Sequence, residues 1–241
     1  MRLQLKPKTF LDASRRDWQF EACSWLLRHT GGYQKFFETE LVLPTEEFFP
    51  DRGMKGHAGV AALFRRVREH AGMEDWPCTV EVASEEPRAA GDDADRIQVI
   101  TYQRGPLEPI KLVAHFAREM ARYLIGTFDE PAPGGEAARE SAVELAAVFM
   151  GFGLFMANSA ASHVNYQLSE GELTHALALF CLLGKKPPDS ADAHLNPHLR
   201  KYVRLAARDL DQYEARFQKL RAVTGVVHAA AADRPVPGQA G

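Results

Sequence analysis

The chain has 241 residues, with 46% hydrophobic and 25% charged side chains and a formal charge of −3. That balance suits one large globular domain with a sizeable core. It carries no charge excess that would make nucleic acid or an anionic membrane the obligate partner.

Residues 14–29 place Trp18, Ala22, Trp25 and Leu26 at helical spacing, and the Gly31-Gly32 pair stops that helix. The following LVLPTEEFFP, with two prolines and paired aromatics, reads as an ordered loop pinned to the core. A second helix spans about 55–71, with Val60, Leu63, Phe64 and Val67 inward and Gly72 as its stop. Arg65, Arg66 and Arg68 are assigned to its solvated face.

The period then changes. Residues 78–83 and 96–102 alternate with β-branched side chains, and Gly91, Asp92 and Asp93 lie between them, so the expectation is a hairpin. Beyond Pro109 the chain reads as helical, over 109–126, 137–158, 169–184 and 197–222. Ser169 followed by Glu172 is a capping-box start for the third of these. Residues 1–224 are expected to form a single domain. The small, proline-containing tail 225–241 is expected to be disordered. No run approaches the ~18 apolar residues of a membrane span, and the N-terminus lacks a secretory core, so a cytoplasmic protein with no membrane partner is expected. Cys23, Cys78 and Cys181 are odd in number and widely spaced, which argues against both a disulfide framework and a cysteine zinc knuckle.

Two helices carry the candidate chemistry. In KLVAHFAREMARYLIG the apolar set is Val113, Phe116, Ala117, Met120 and Leu124, and the polar set is His115, Arg118, Glu119 and Arg122. In the next helix Glu140 and Glu144 stand one turn apart, ahead of a long apolar stretch. Taken alone, the first polar set is an exposed face with i, i+4 pairs, and the two glutamates complement a helix dipole. His163, His175, His194 and His198 read as surface or satisfied core residues. No glycine-rich phosphate loop and no GxSxG elbow is present.

The pairing of LVAHFAREMARYLI with an ExxxE helix ending in GFGLFMANSA resembles bacterial zincin-like proteins of the gluzincin type. The likeness extends over about residues 15–220, taking in LVLPTEEFFP, GMEDWPCTVEV and LSEGELTHALALF. Zinc-binding relatives carry AHELxHxL where this chain has Ala117-Arg118-Glu119-Met120-Ala121-Arg122-Tyr123-Leu124. The resemblance implies that Glu119 matches the general base, Glu140 the third metal ligand and Glu144 an outer carboxylate. Arg118 and Arg122 then occupy the two histidine positions, and Glu140 follows Arg122 by 18 residues. A guanidinium has no lone pair to offer a cation, so no zinc, no other cofactor and no zinc-dependent peptide hydrolysis are expected.

The resulting expectation is a helix-dominated α+β zincin-like domain, with a small sheet or hairpin beside the motif helix. Its metal site is replaced by an Arg/Glu ion-pair cluster, and its role is to bind or scaffold a protein partner. Three alternatives remain open: an enzyme or binder holding an anionic ligand on Arg118 and Arg122 with Glu119 as base; a zinc site rearranged around His115 with help from His163; and a purely structural subunit of an assembly.

Overall fold

The computed structural model describes residues 10–51, 55–83, 97–103, 108–160 and 166–226. It is a helix-dominated α+β structure of nine α-helices and two short strands among those residues. Helix α1 (Ala13–His29) starts at Asp12, whose carboxylate accepts the Arg15 backbone N–H at 2.9 Å. The sequence reading placed no helix after Gly31, yet α2 (Gly32–Phe37) begins there, with Gly31 left-handed at φ 97°. Its six residues are too few to show an apolar period. Tertiary contacts fix it instead, above all Phe36 stacked on Phe149 with ring centroids 4.2 Å apart.

Helix α3 (Gly56–His70) buries Val60, Phe64 and Val67 as expected, while Leu63 stays half-buried. Strands β1 (Cys78–Val82) and β2 (Gln98–Tyr102) follow, with Cys78 opposite Gln98 and Val82 opposite Tyr102. The pairing is parallel, which overturns the hairpin expectation. A parallel pair needs a crossover of about a dozen residues or more, and the link from Val82 to Gln98 is long enough to supply one. Gly91, Asp92 and Asp93, the expected turn, lie outside the described residues.

Helix α4 (Pro109–Gly126) opens on Pro109, whose missing N–H costs nothing in the first turn. It buries Val113, Phe116, Ala117 and Met120 completely or nearly so, while Leu124 is half-buried. Against it packs a long apolar unit of three parts: α5 (Arg139–Ala147), a π-helical segment Val148–Phe152, and α6 (Gly153–Ala160). Gly151, at φ 96°, interrupts the regular ladder, and its carbonyl accepts the Val42 N–H at 3.0 Å. That bond fastens LVLPTEEFFP to the core. Residues Glu136–Ala160 are together long and apolar enough to cross a membrane by composition, but 83% of that apolar window is buried within the fold.

Helix α7 (Glu170–Leu183) begins with the expected capping box. The Glu172 N–H donates to the Ser169 hydroxyl, and the Ser169 N–H donates to the Glu172 carboxylate at 2.9 Å. It is buried almost all round, which makes it the central helix. Instead of one helix over 197–222 there are two, α8 (Pro197–Leu210) and α9 (Glu214–Arg221), joined by a 3₁₀ turn at Asp211–Tyr213. The expected disordered tail falls almost entirely outside the described residues, as does His163.

Candidate functional site

The polar face of α4 meets the first turns of α5, because the apolar stripes of both helices are committed to the same core. This crossing brings together Arg118, Glu119, Arg122, Glu140 and Glu144. Arg122 holds Glu140 with two nitrogens, Nη2 donating to Oε2 at 2.7 Å and Nε to Oε1 at 3.3 Å. Its Nη1 donates to Glu119 in a short intrahelical ion pair. Arg118 Nη2 donates to the same Glu140 Oε2 at 3.1 Å and lies 3.6 Å from Glu144 Oε1. Its guanidinium also sits over the Tyr166 ring, 5.3 Å from the centroid.

Burial grades across the cluster. The Glu140 side chain is 40% exposed and that of Arg122 32%, whereas Glu144 is wholly enclosed. Hydrogen bonds from Arg122 hold the Glu140 carboxyl below the usual range, against a smaller opposing effect of burial. Burial by itself would lower the Arg122 guanidinium, but its bonds to Glu140 and Glu119 outweigh that and push it upward. For Glu144 the balance is reversed. Burial raises its carboxyl, although the Gln167 and Leu168 N–H groups and the Arg118 charge all favour the ionised form.

Glu144 serves a purpose that its sequence position does not reveal. It accepts the Gln167 N–H at 2.9 Å and 3.1 Å on its two oxygens, and the Leu168 N–H at 2.8 Å. These are the residues just before the α7 capping box, so one buried carboxylate ties the start of α5 to the entry of the central helix. Tyr166, which closes the site over Arg118, is likewise absent from the sequence reading. Burial pushes its phenol up to about 12, so it is a neutral lid at physiological pH. An aromatic residue in a short aperiodic stretch gives no signal for either role.

His115 lies apart from the carboxylates in its bonding: its Nε2 donates to the Thr101 carbonyl at 2.7 Å, tying α4 to β2. Among the described residues no group of three or more His, Cys, Asp or Glu side chains is placed to hold a metal ion. His115, Glu119 and Glu140 therefore do not form the rearranged zinc set, and its fourth candidate, His163, is not among the described residues. All three cysteines are free and buried, and burial raises each thiol above its ordinary range.

As chemistry, the arrangement is a charge-dense knot in which two permanently protonated guanidiniums are taken up by three carboxylates, one of them, Glu144, also held by backbone N–H groups. Compared with known proteins, the chain matches no family model, no curated protein and no solved structure.

Proposed function

We propose that this chain is a non-catalytic, zincin-like binding or scaffolding protein in which an Arg/Glu ion-pair cluster stands in place of a metal centre. The observation that carries the reading is the convergence of Arg118 and Arg122 on Glu140, the residue that the resemblance equates with the third metal ligand. In a zincin the ion joins the two histidine positions of one helix to a carboxylate of the next. Here the guanidiniums make that join directly, at 3.1 Å and 2.7 Å. Charge-assisted bonds of this kind supply the crosslink without the Lewis acid, so no group is left to activate a water.

The reading in which Arg118 and Arg122 hold an anionic ligand requires that ligand to displace Glu140. It also requires Glu119, already engaged by Arg122, to be released as a base. The binding role is therefore the better supported of the two.

The test is to measure metal content in wild type and in Arg118→His/Arg122→His, which restores HExxH ahead of Glu140. The expected result is no stoichiometric zinc in wild type and about one zinc per chain in the double variant. Zinc at one per chain in the wild type would overturn the proposal, as would a correctly folded double variant that takes up none.

A further inference from the structure

Helices α3 and α4 touch where Phe64 meets Phe116 edge to face, with ring centroids 5.2 Å apart. Beside that contact the two helices leave a cavity of about 670 Å³, partly open to solvent. This volume falls within the roughly 300–1,000 Å³ of small-molecule sites. Val60 and Leu63 of α3, Ile110 and Val113 of α4 and Phe49 of the LVLPTEEFFP loop form its walls, and the buried Phe155 of α6 lines it from the core.

The walls are held by contacts of their own. Phe49 packs edge-on against Phe155 with centroids 5.8 Å apart, and His70 Nε2 donates to the Phe48 carbonyl at 2.9 Å. The Val42–Gly151 bond fastens the start of the same loop. Gly59 adds to the space. It lies within α3 and has no left-handed φ that would call for a glycine, although glycine weakens a helix relative to alanine. What it supplies is bare backbone at the cavity wall.

Three charged side chains reach the lining: Asp51, Lys55 and Arg66. Asp51 Oδ2 accepts from Arg65 Nη2 and from Arg66 Nε, each at 3.1 Å, and Arg66 Nη1 donates to Glu69 at 2.8 Å. Those two guanidiniums and two carboxylates satisfy one another. Lys55 is exposed and forms no ion pair among the described residues. It stands at the N-cap of α3, whose first turn holds no acidic residue, so its charge adds to the positive end of the helix dipole instead of opposing it. A negative group beside Lys55 would be favoured by both.

We propose that this cavity binds a molecule with an apolar body and one carboxylate head, of the fatty-acid class. Its chain lies against Val60, Leu63, Ile110 and Val113, and its carboxylate meets Lys55. The body follows from the walls, and the head from the lining charge that has no partner among the described residues. Arg118, Glu119 and Arg122 do not line the cavity, so the site stands whether or not the Arg/Glu cluster replaces a metal.

The probe is dodecanoate, titrated below its micelle-forming concentration into the full chain by calorimetry, with methyl NMR to place it. One molecule is expected per chain, with shifts concentrated in the methyls of Val60, Leu63, Ile110 and Val113. Dodecanol on wild type, and dodecanoate on Lys55→Gln, should each bind about fivefold more weakly, the upper range for an exposed charge pair. A folded Gly59→Leu, which fills the space, should bind neither. No binding to wild type, shifts centred elsewhere, or binding that survives Gly59→Leu would overturn the site. Equal affinity for dodecanol, or an unchanged affinity in Lys55→Gln, would overturn the carboxylate class. Should Gly59→Leu fail to fold, the methyl shifts of the wild type decide the location by themselves.

Discussion

Arg122 on α4 and Glu140 on α5 meet through two bonds, Nη2 to Oε2 at 2.7 Å and Nε to Oε1 at 3.3 Å. This side-on grip joins the two helices at residues 18 positions apart in the chain, and Arg118 reinforces it from one turn earlier. A bidentate guanidinium–carboxylate contact is rigid in both distance and plane, which suits it to hold the angle between helices.

The two carboxylates facing these arginines are not equivalent, and mutation should separate them. Glu140 is 40% exposed, so solvent screens its pairs and Glu140→Gln should cost only about 1 kcal/mol, or roughly 2–4 °C in melting temperature. Glu144→Ala should cost about 3 kcal/mol or more, because it strands the Gln167 and Leu168 N–H groups and takes from Arg118 one of its two carboxylate neighbours. Urea denaturation of both variants checks the order. Equal losses would mean that the buried carboxylate does no more than the exposed one.

The pH dependence of the pair follows from opposite shifts. Glu140 is held below the usual carboxylate range, so its contribution is present above the unfolded value and fades as pH falls through the depressed one. The advantage of wild type over Glu140→Gln should therefore shrink below about pH 4. Glu144 is raised by burial, so its contribution is full below the unfolded value and is lost as pH rises through the folded one. Glu144→Gln should accordingly compare best with wild type at neutral pH and worst in acid. Stability curves from about pH 3 to 8 would show both trends.

Salt offers an independent check on the same grading. The Arg122–Glu119–Glu140 pairs reach solvent and should weaken on going from low salt to about 1 M, where the Debye length falls to about 3 Å. The stability difference between wild type and Glu140→Gln should narrow, while that for Glu144→Ala should hardly move.

Gly151→Ala tests the π-helical segment. At φ 96° an L side chain is strained, and a Cβ there would collide with the Glu40 carbonyl oxygen. The Val42–Gly151 bond and the docking of LVLPTEEFFP depend on that approach. A loss of about 3 kcal/mol or more is expected, with the Val42 amide becoming labile to hydrogen exchange.

Local patterns in the chain determined a great deal. Apolar periodicity located α1, α3, α4 and α7, and placed Val113, Phe116, Ala117 and Met120 inward and Arg118, Glu119 and Arg122 together on another face. The Ser169–Glu172 box marked the start of α7. Spacing alone could not bring Arg122 to Glu140. The crossing of α4 over α5 supplies that link.

Other features were decided only by contacts distant in sequence. Strand direction was one, since alternation is the same in parallel and antiparallel pairs and only the route of the chain distinguishes them. The break between α8 and α9, the hold of Glu144 on Gln167 and Leu168, and the burial of Arg16 and of His175 were others. The physical reason is range. Helical periodicity and caps act over three or four residues and are written into the local sequence. The charge environment of a side chain is set by whichever elements pack around it, and those come from anywhere along the chain.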